Sequence, residues 1–503
     1  MTITIDQALK WHATYNPRRL AVQDDHKKES YAELWQRSVQ LVLAMKAAGV
    51  KKNDKISVLL PNCAQFIEIY HAAALYGIAV VPINFRLAPR EAQYIIEHSE
   101  SKLLFYYSDF SDLVKEINIK DTPVAFIKIG PGREDDDEYN DFIGKYDDKG
   151  FDGDSDGDRY DVPFYQGYTS GTTGTPKGCV NPLGPFSEQL TRIIGTYRFE
   201  SSDRQLMPAP LFHEAPALFS LAQIFAGGSL LLTKDPAPEN IAEIINKQSP
   251  TNIFMVPTMW ETLTISPEVD RVKSKTLRLL VSGGSALLTH TRDKLFKAFP
   301  DADVNEFYGG TEVGLVSNIT KDEMLRNYRS VGRPVFGKYI KIIGEDGEEV
   351  TPGEVGEIYM AGQLMLREYY KNPEATAKAR LGEWLTLGDL GSIDDDGYLY
   401  IVDRKKDMII SGGENIFPAE IENVISKMPE VFMCAVVGQP DPRWGEVVTA
   451  YVVPAPGAHI SKEEVQRFCA QELANFKIPK EVYFKRELPM SAFGKILRRE
   501  LRQ

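Results

Sequence analysis

Residues 56–83 read ISVLLPNCAQFIEIYHAAALYGIAVVPI, and this stretch decides the fold class. Apolar and β-branched residues predict strands over 56–60 and 80–83, and the segment between them predicts a helix over 65–76 that Gly77 ends. A strand, a helix and a second strand in this order form a βαβ unit. Such units favour a mainly parallel sheet with helices on both of its faces.

The same rhythm continues towards the C-terminus. A helix near 89–98 and a strand over 103–107 complete the first set. A second set of candidate strands follows at 230–233, 253–256, 277–282 and 304–307. The sequence therefore predicts two doubly wound sheets.

The pattern changes from about Ser330. Turn signals at 352–353 and 396–397 separate short strands, which predicts an antiparallel sheet or small barrel. Beyond it, alternating helices and strands predict a compact α+β unit of roughly 100 residues. The predicted fold is α/β: a large N-terminal domain of two doubly wound sheets plus a small β-barrel-like sheet over 1–403, followed by a small α+β C-terminal domain over 404–503.

Residues 168–178, YTSGTTGTPKG, combine glycines, hydroxyls and one lysine with hardly any apolar bulk. Glycine lets backbone N–H groups approach an anion, and the hydroxyls and Lys177 add donors and charge, so the stretch predicts a loop for a polyphosphate. It follows a predicted strand over 164–168, where ligands collect in open sheets. A Walker loop is excluded, because Pro176 precedes the lysine and Gly178 follows it. A flexible linker is the alternative for this stretch taken alone.

Composition and charge exclude several classes of protein. The 503 residues carry a net charge of −13, concentrated in an acidic segment over 133–161, so no basic surface for nucleic acid is expected. The four cysteines have neither paired nor metal-ligand spacing. No signal peptide is visible, and Pro216 and two glycines interrupt the longest uncharged run, 215–233. We therefore expect a cytoplasmic protein without a transmembrane segment.

The loop resembles the phosphate loop of the acyl-adenylate-forming superfamily, which joins acyl-CoA synthetases, adenylation domains of peptide synthetases and firefly-type luciferases. Residues 407–416, DMIISGGENI, look most like those of stand-alone acyl-CoA synthetases. The resemblance runs almost the full length and implies an enzyme that uses ATP, Mg²⁺ and coenzyme A. Such an enzyme joins AMP to a carboxylic acid, releases pyrophosphate and passes the acyl group to the CoA thiol. The loop residues that it implies for ATP binding are Thr169, Ser170, Gly171, Thr172, Thr173, Gly174 and Lys177.

A second motif, Tyr308-Gly309-Gly310-Thr311-Glu312, follows a strand-like run. Alone it also fits a turn with an exposed glutamate. The family has the same kind of string after its phosphate loop, which implies that Tyr308 stacks on the purine and that Gly309 and Thr311 line the nucleotide. Glu312 would hold Mg²⁺, and both Glu312 and the loop residue Thr169 are catalytic candidates. In members of the family a further short motif lies behind the adenine and the acyl group. The corresponding residues here, Gly283, Gly284 and Ser285, are therefore also expected to bind the nucleotide.

Two residues resemble the ribose contacts of the family. Asp389, in a string similar to W-x-x-T-G-D-L, would accept hydrogen bonds from the ribose hydroxyls, although a turn aspartate that caps its own backbone looks the same in sequence. Arg404 looks like the ribose-contacting arginine. Leu387 stands where the family has threonine, so we expect a reduced nucleotide affinity at most.

The remaining candidates concern the second half of the reaction and the acid. Lys406 occupies the pivot position between the two domains, and Gly412 and Gly413 would line the pantetheine tunnel. Lys495, in PMSAFGKI, resembles the adenylation lysine of the family. The resemblance implies that the C-terminal domain rotates, so that it presents first the end with Lys495 and then the end with Gly412 and Gly413 to the same active site. His213, in PLFH, would lie beside the acyl pocket and is the last catalytic candidate.

The sequence does not identify the acid. The apolar run 215–219 favours a medium- or long-chain fatty acid or another apolar acid, but Glu214 complicates this. The alternatives are a ligase for aromatic acids, an adenylating enzyme that loads a carrier protein and, because of Leu387, a nucleotide-binding protein without catalysis. A homodimer and peripheral contact with a membrane both stay open.

Overall fold

The structure, a computed structural model, describes residues 2–119, 124–130, 138–147, 151, 159–169, 176–273, 275–490 and 496–502. Four sheets with helices packed against them form this part of the chain. The predicted α/β class is confirmed.

The helices and strands alternate along most of the chain. The helices are α1 Ile5–Tyr15, α2 Tyr31–Ala47, α3 Ala64–Tyr76, α4 Pro89–Ser99, α5 Ser111–Lys115, α6 Glu138–Ile143, α7 Leu183–Tyr197, α8 Glu214–Phe225, α9 Pro238–Gln248, α10 Pro257–Ile265, α11 Thr289–Ala298, α12 Lys321–Met324, α13 Pro373–Lys378, α14 Pro418–Ile425, α15 Lys462–Glu472 and α16 Arg498–Leu501. The strands are β1 Leu20–Gln23, β2 Lys28–Ser30, β3 Lys55–Leu59, β4 Ala79–Pro82, β5 Leu103–Tyr107, β6 Ala125–Ile129, β7 Pro163–Thr169, β8 Lys177–Pro182, β9 Arg204–Met207, β10 Ser229–Leu232, β11 Asn252–Met255, β12 Leu279–Ser282, β13 Asp303–Gly310, β14 Gly314–Ile319, β15 Arg333–Pro334, β16 Tyr339–Ile343, β17 Gly356–Ala361, β18 Glu368–Tyr369, β19 Arg380–Leu381, β20 Trp384–Ile393, β21 Leu399–Arg404, β22 Ile409–Ser411, β23 Glu414–Ile416, β24 Val431–Asp441, β25 Gly445–Pro454 and β26 Glu481–Phe484.

Residues 56–83 supply strands β3 and β4 at the centre of the first sheet, whose order is β18-β8-β7-β4-β3-β5-β6. Strands β3 to β7 run parallel, and β8 and β18 add an antiparallel edge. Helix α3 ends at Gly77, whose left-handed φ of 80° forms the C-cap. All thirteen residues of α3 are buried, because the helix lies in the core between the first and second sheets. The strand–helix–strand prediction is confirmed.

The second sheet has the order β15-β14-β13-β12-β11-β9-β10-β1-β2. Its six inner strands are parallel, and β2, β14 and β15 are antiparallel edges. The uncharged run that the sequence divides at its glycines forms α8 and β10. Among the described residues, no helix has both the length and the apolar character needed to cross a membrane.

The third and fourth sheets occupy the C-terminal third. Strands β16, β17, β19, β20 and β21 form the antiparallel sheet that the turn signals predict. Strands β22 to β26 with α14 and α15 form the α+β unit, whose apolar residues make a core of their own. The division at residue 403 stays a prediction, although the fourth sheet begins just after it, at Ile409.

Candidate active site

The first sheet presents the two ends of the predicted phosphate loop. Strand β7 ends at Thr169 and β8 begins at Lys177, and these two residues pair with each other. Tyr168 lies in a strand, as the predicted strand over 164–168 has it, but Thr169, Lys177 and Gly178 also lie in strands, because the β7–β8 ladder extends up to the turn. Five of the residues predicted to bind ATP lie outside the described part of the chain: Ser170, Gly171, Thr172, Thr173 and Gly174.

Glu312 lies against this hairpin. Its Oε1 accepts hydrogen bonds from the Tyr369 hydroxyl at 2.8 Å and from Cys179 Sγ at 3.5 Å. The Cys179 sulfur is in turn 3.8 Å from Thr169 Oγ1. Glu312 is 8% exposed, so it is not the exposed turn glutamate that the motif alone allows. The carboxylate therefore lies one side chain away from the start of the phosphate loop.

The glycines of the two nucleotide motifs are required by close packing. A Cβ on Gly309 would lie 2.1 Å from the Gly314 carbonyl oxygen, across a bulge in the β13–β14 pair. A Cβ on Gly283 would lie 2.1 Å from the Phe307 ring. Gly284 has a left-handed φ of 93° and, like Ser285, is exposed. Both strings therefore bring backbone close to other chain segments at the carboxyl ends of β12 and β13.

The predicted purine and ribose residues form one hydrogen-bonded group. Asp389 accepts from the Tyr308 hydroxyl at 2.7 Å and pairs with Arg404 Nε at 2.5 Å. Burial lowers the pKa of Arg404, but Asp389 and the neighbouring Tyr308, Glu312 and Asp407 together raise it more, so the net shift is upward. Burial and the Asp389 carboxylate raise the pKa of Tyr308. At neutral pH Tyr308 is therefore a phenol and Arg404 a guanidinium.

Leu387 contributes an apolar contact beside this group. A Cβ on Gly310 would lie 2.9 Å from Leu387 Cδ1, and the side chain packs in the same apolar cluster as Tyr308. The hydroxyl of the preceding Thr386 faces Glu357, at 2.8 Å, and the Gly388 N–H. It therefore does not stand in for the hydroxyl that the family has at 387.

Helix α8 begins at Glu214, and His213 precedes it as the N-cap residue. The His213 ring packs on Phe212, with centroids 4.4 Å apart. Burial raises the pKa of Glu214 well above its usual value, and the Glu312 carboxylate raises it further. Burial and the neighbouring carboxylate therefore favour the protonated form of the Glu214 side chain.

Sequence reasoning missed two polar residues that donate hydrogen bonds to the backbone on either side of Glu312. Asn181 Nδ2 donates to the Thr311 carbonyl at 3.0 Å, and Lys338 Nζ donates to the carbonyls of Val313 and Gln363 at 2.7 Å each. Burial lowers the pKa of Lys338 to about 7. A lone polar residue in an apolar strand is the only signal that marks Asn181 in the sequence, and Lys338 has none.

The C-terminal candidates lie on exposed backbone. Lys406 is exposed and follows the last residues of β21. Gly412 and Gly413 form the β22–β23 turn, with left-handed φ values of 62° and 88°, and Gly412 packs against Trp444. Lys495 lies outside the described residues. The structure thus links Thr169 to Glu312 through Cys179, and Tyr308 to Asp389 and Arg404, while the role predicted for Lys495 stays a prediction.

A magnesium ion fits the chemistry of these side chains. In the described residues no group of three or more histidine, cysteine or acidic side chains could hold a metal ion alone. Mg²⁺ in nucleotide sites needs only one or two carboxylates, because substrate phosphates and water complete its shell. Glu312 supplies one carboxylate and its Oε1 is already fixed, which leaves Oε2 for a cation.

Comparisons with known proteins agree with this geometry. Family models described as AMP-binding enzyme and AMP-binding enzyme C-terminal domain match residues 9–370 and 420–495. Feruloyl-CoA synthase of an Amycolatopsis species is 34% identical over 98% of this chain and 97% of its own length. Long-chain-fatty-acid–CoA ligase FadD13 of Mycobacterium tuberculosis is 32% identical over 98% of this chain and 97% of its own. ATP-bound MatB from Rhodopseudomonas palustris is 29% identical and has a TM-score of 0.91 over 100% of this chain and 98% of its own. The chain therefore belongs to the AMP-binding enzyme family, the acyl-adenylate-forming superfamily that its motifs resemble.

Proposed function

We propose that this enzyme is an AMP-forming acyl-CoA synthetase. It joins a carboxylic acid to AMP with release of pyrophosphate, and then transfers the acyl group to the thiol of coenzyme A. One observation carries the proposal: Glu312 is hydrogen-bonded to Cys179 of the phosphate-loop hairpin, and Tyr308 of the same motif is hydrogen-bonded to Asp389, which pairs with Arg404. Relatives named as a CoA synthase and a CoA ligase, each similar over 98% of this chain, support the same reaction class.

The first half-reaction brings two anions together, the acid and the α-phosphate. We assign Lys177 and the loop backbone to the phosphates and Lys495 to the acid and the α-phosphate, because charge that builds up in the transition state must be offset. Glu312 would hold Mg²⁺, which neutralises phosphate charge when bound. Thr169 lies at the start of the loop and would donate its hydroxyl to a phosphate oxygen.

We assign nucleotide binding to the group formed by Tyr308, Asp389 and Arg404. The two Asp389 carboxylate oxygens already receive Tyr308 and Arg404, so the side chain is fixed before ribose hydroxyls bind. The Tyr308 ring would stack on the purine, with Gly283, Gly284 and Ser285 behind it. Preorganised acceptors of this kind cost little reorganisation on binding.

The second half-reaction needs a path for the pantetheine thiol. The turn at Gly412 and Gly413 would line that path after the C-terminal unit rotates near Lys406. A Cβ on Gly413 meets no atom within 4 Å, so this turn has free space on its outer side. The same unit carries Lys495, and one rotation would therefore exchange the two chemistries.

We propose an apolar acid as substrate, a fatty acid or alternatively an aromatic one. Relatives of nearly equal similarity bear both kinds of name, feruloyl-CoA synthase and long-chain-fatty-acid–CoA ligase. Burial raises the pKa of Glu214, which favours its uncharged form and is compatible with an uncharged chain nearby. We further propose that the enzyme works in the reducing cytoplasm, since its four cysteines are buried and unpaired.

Two assays test this function. Pyrophosphate release is measured with ATP and a panel of fatty acids of graded length, benzoate and ferulate, and thioester formation is then measured with CoA or with a holo carrier protein. We expect acid-dependent pyrophosphate and a CoA thioester. Pyrophosphate without any CoA product would indicate a carrier-protein loader, and no pyrophosphate with any acid would contradict the proposal.

A further inference from the structure

Tyr369 contacts two residues of the candidate ATP site, the carboxylate of Glu312 and the ammonium group of Lys177. It lies in the two-residue strand β18, which pairs with β8 so that Tyr369 is opposite Cys179. Its hydroxyl donates to Glu312 Oε1 at 2.8 Å, and Lys177 Nζ lies 5.1 Å from the centre of its ring. One side chain thus contacts the carboxylate assigned to the metal and the lysine assigned to the phosphates.

The bond to Glu312 is built to fix the carboxylate. Tyr369 is 8% exposed, and a hydrogen bond from a buried hydroxyl to a carboxylate is stronger than one between neutral groups. The N–H groups of Met365 and Leu366 donate to the Glu312 carbonyl at 3.2 Å and 2.8 Å. The segment before Tyr369 therefore holds the backbone of Glu312, and Tyr369 holds its side chain.

The ring position constrains Lys177 as well. An ammonium near an aromatic ring at this distance is attracted to the π face. Lys177 lies at the first position of β8, directly after the loop, so the ring limits the directions in which its side chain points. Loss of the hydroxyl alone would release Glu312 and leave this ring contact in place.

We propose that Tyr369 is a positioning residue for magnesium-bound ATP, which aims Glu312 at the cation and keeps Lys177 beside the phosphates. The inference rests on the proposed function, since that function assigns Glu312 to the metal. It adds a residue that none of the sequence motifs contains. Tyr369 touches no reacting atom in this scheme and acts through the two side chains that do.

The chain offers a matched control in the next residue. Tyr370 donates its hydroxyl to Glu100 at 2.5 Å and lies under Lys55 at 4.1 Å, so it makes the same two kinds of contact away from Glu312. Tyr369→Phe and Tyr370→Phe each remove one hydroxyl that bonds a carboxylate. Only the first should change the response to magnesium.

The first readout is binding without turnover. The Kd for ATP is measured by calorimetry in the absence of acid, with Mg²⁺ and with EDTA. Loss of a group that orients a metal ligand typically weakens metal binding by about tenfold or more. We expect Tyr369→Phe to lose most of the magnesium-dependent gain in ATP affinity, with the Kd in EDTA unchanged, and Tyr370→Phe to match the wild type.

The second readout separates positioning from a structural defect. In Tyr369→Phe the Mg²⁺ concentration for half-maximal adenylation should rise about tenfold, while thioester synthesis from supplied acyl-adenylate and the thermal midpoint stay close to wild type. An unchanged magnesium response would overturn the inference, and so would equal loss of both half-reactions with a lowered midpoint. If the wild type binds magnesium-bound ATP but activates no acid, the proposed function fails while the binding test of Tyr369 still stands.

Discussion

Replacing Glu214 by glutamine should change how the stability of the nucleotide-free protein depends on pH. Burial raises the pKa of this carboxyl well above 4.5, so it keeps its proton in the folded chain where the unfolded chain has lost it. A raised carboxyl pKa contributes stability that is fully present below the unfolded pKa and is lost as the pH rises. Glutamine has nearly the same shape and no proton to lose.

The expected size follows from proton linkage. Between the unfolded and the folded pKa, the wild type loses about 1.4 kcal/mol of unfolding free energy for each pH unit, and the Glu214→Gln variant does not. Below about pH 6.5 the difference between the two proteins should therefore move steadily in favour of the variant as the pH rises above the unfolded pKa. Lys338, whose pKa burial lowers to about 7, keeps most of its charge in this window in both proteins.

Urea unfolding of the two proteins at several pH values, with EDTA present, measures this drift. Two further carboxyls calibrate it. Burial raises the pKa of Glu306 to about 7, so Glu306→Gln should drift in the same direction. Hydrogen bonds from Ser30 lower the pKa of Glu33, so this carboxyl changes its charge only below pH 4.5. The difference in unfolding free energy between Glu33→Gln and the wild type should therefore not change with pH above that value. A pH-independent difference for Glu214→Gln beside a drifting Glu306→Gln would refute a protonated carboxyl at this site.

Three further substitutions test the proposed reaction. Lys495→Ala should reduce acyl-adenylate formation by a factor on the order of 100 and leave thioester synthesis from supplied acyl-adenylate within a few-fold, and equal loss of both would contradict its assignment. Gly413→Trp should do the reverse, because it fills open space at the turn assigned to the thiol path, and unchanged CoA turnover would argue against that path. Leu387→Thr restores the hydroxyl of the family beside Asp389 and should tighten ATP binding about threefold by calorimetry. A weaker or unaltered Kd would show that the hydroxyl has no place there.

The sequence predicts the layers of this fold because its strands and helices carry their own signals. The strands β4 and β5 are continuous runs of apolar and aromatic residues, β3 is mostly apolar, and Gly77 marks the end of α3. The edge of the first sheet was harder to predict. The glycines and hydroxyls around the phosphate loop indicate a loop, and they give no sign that β7 and β8 pair up to Thr169 and Lys177.

The supporting side chains of the site could not be predicted, because they come from elements with no local signal. Tyr369 belongs to a strand of two residues, and Lys338 lies in a turn between β15 and β16. Their contacts with Glu312 and with the Val313 carbonyl exist only after the second and third sheets pack against the first. The state of Glu214 likewise depends on burial, which one residue in a sequence does not reveal.

The position of Arg404 bears on how the proposed rotation could leave the nucleotide in place. Arg404 is the last residue of β21 and pairs with Asp389 in the ladder, and the Lys405 N–H still donates to the Gly388 carbonyl at 2.9 Å. Beyond these bonds, Arg502 of the C-terminal helix region donates to the Lys406 carbonyl at 3.3 Å. The two sides also share bonds across this point, because Asp403 Oδ2 accepts from the Ala419 N–H at 2.9 Å and the Arg404 carbonyl accepts from the Asp407 N–H at 2.9 Å. A rotation here would have to break the Asp403–Ala419 bond. A pivot at this point would turn the C-terminal unit without breaking the Asp389–Arg404 pair, so one bound adenylate could meet both chemistries in turn.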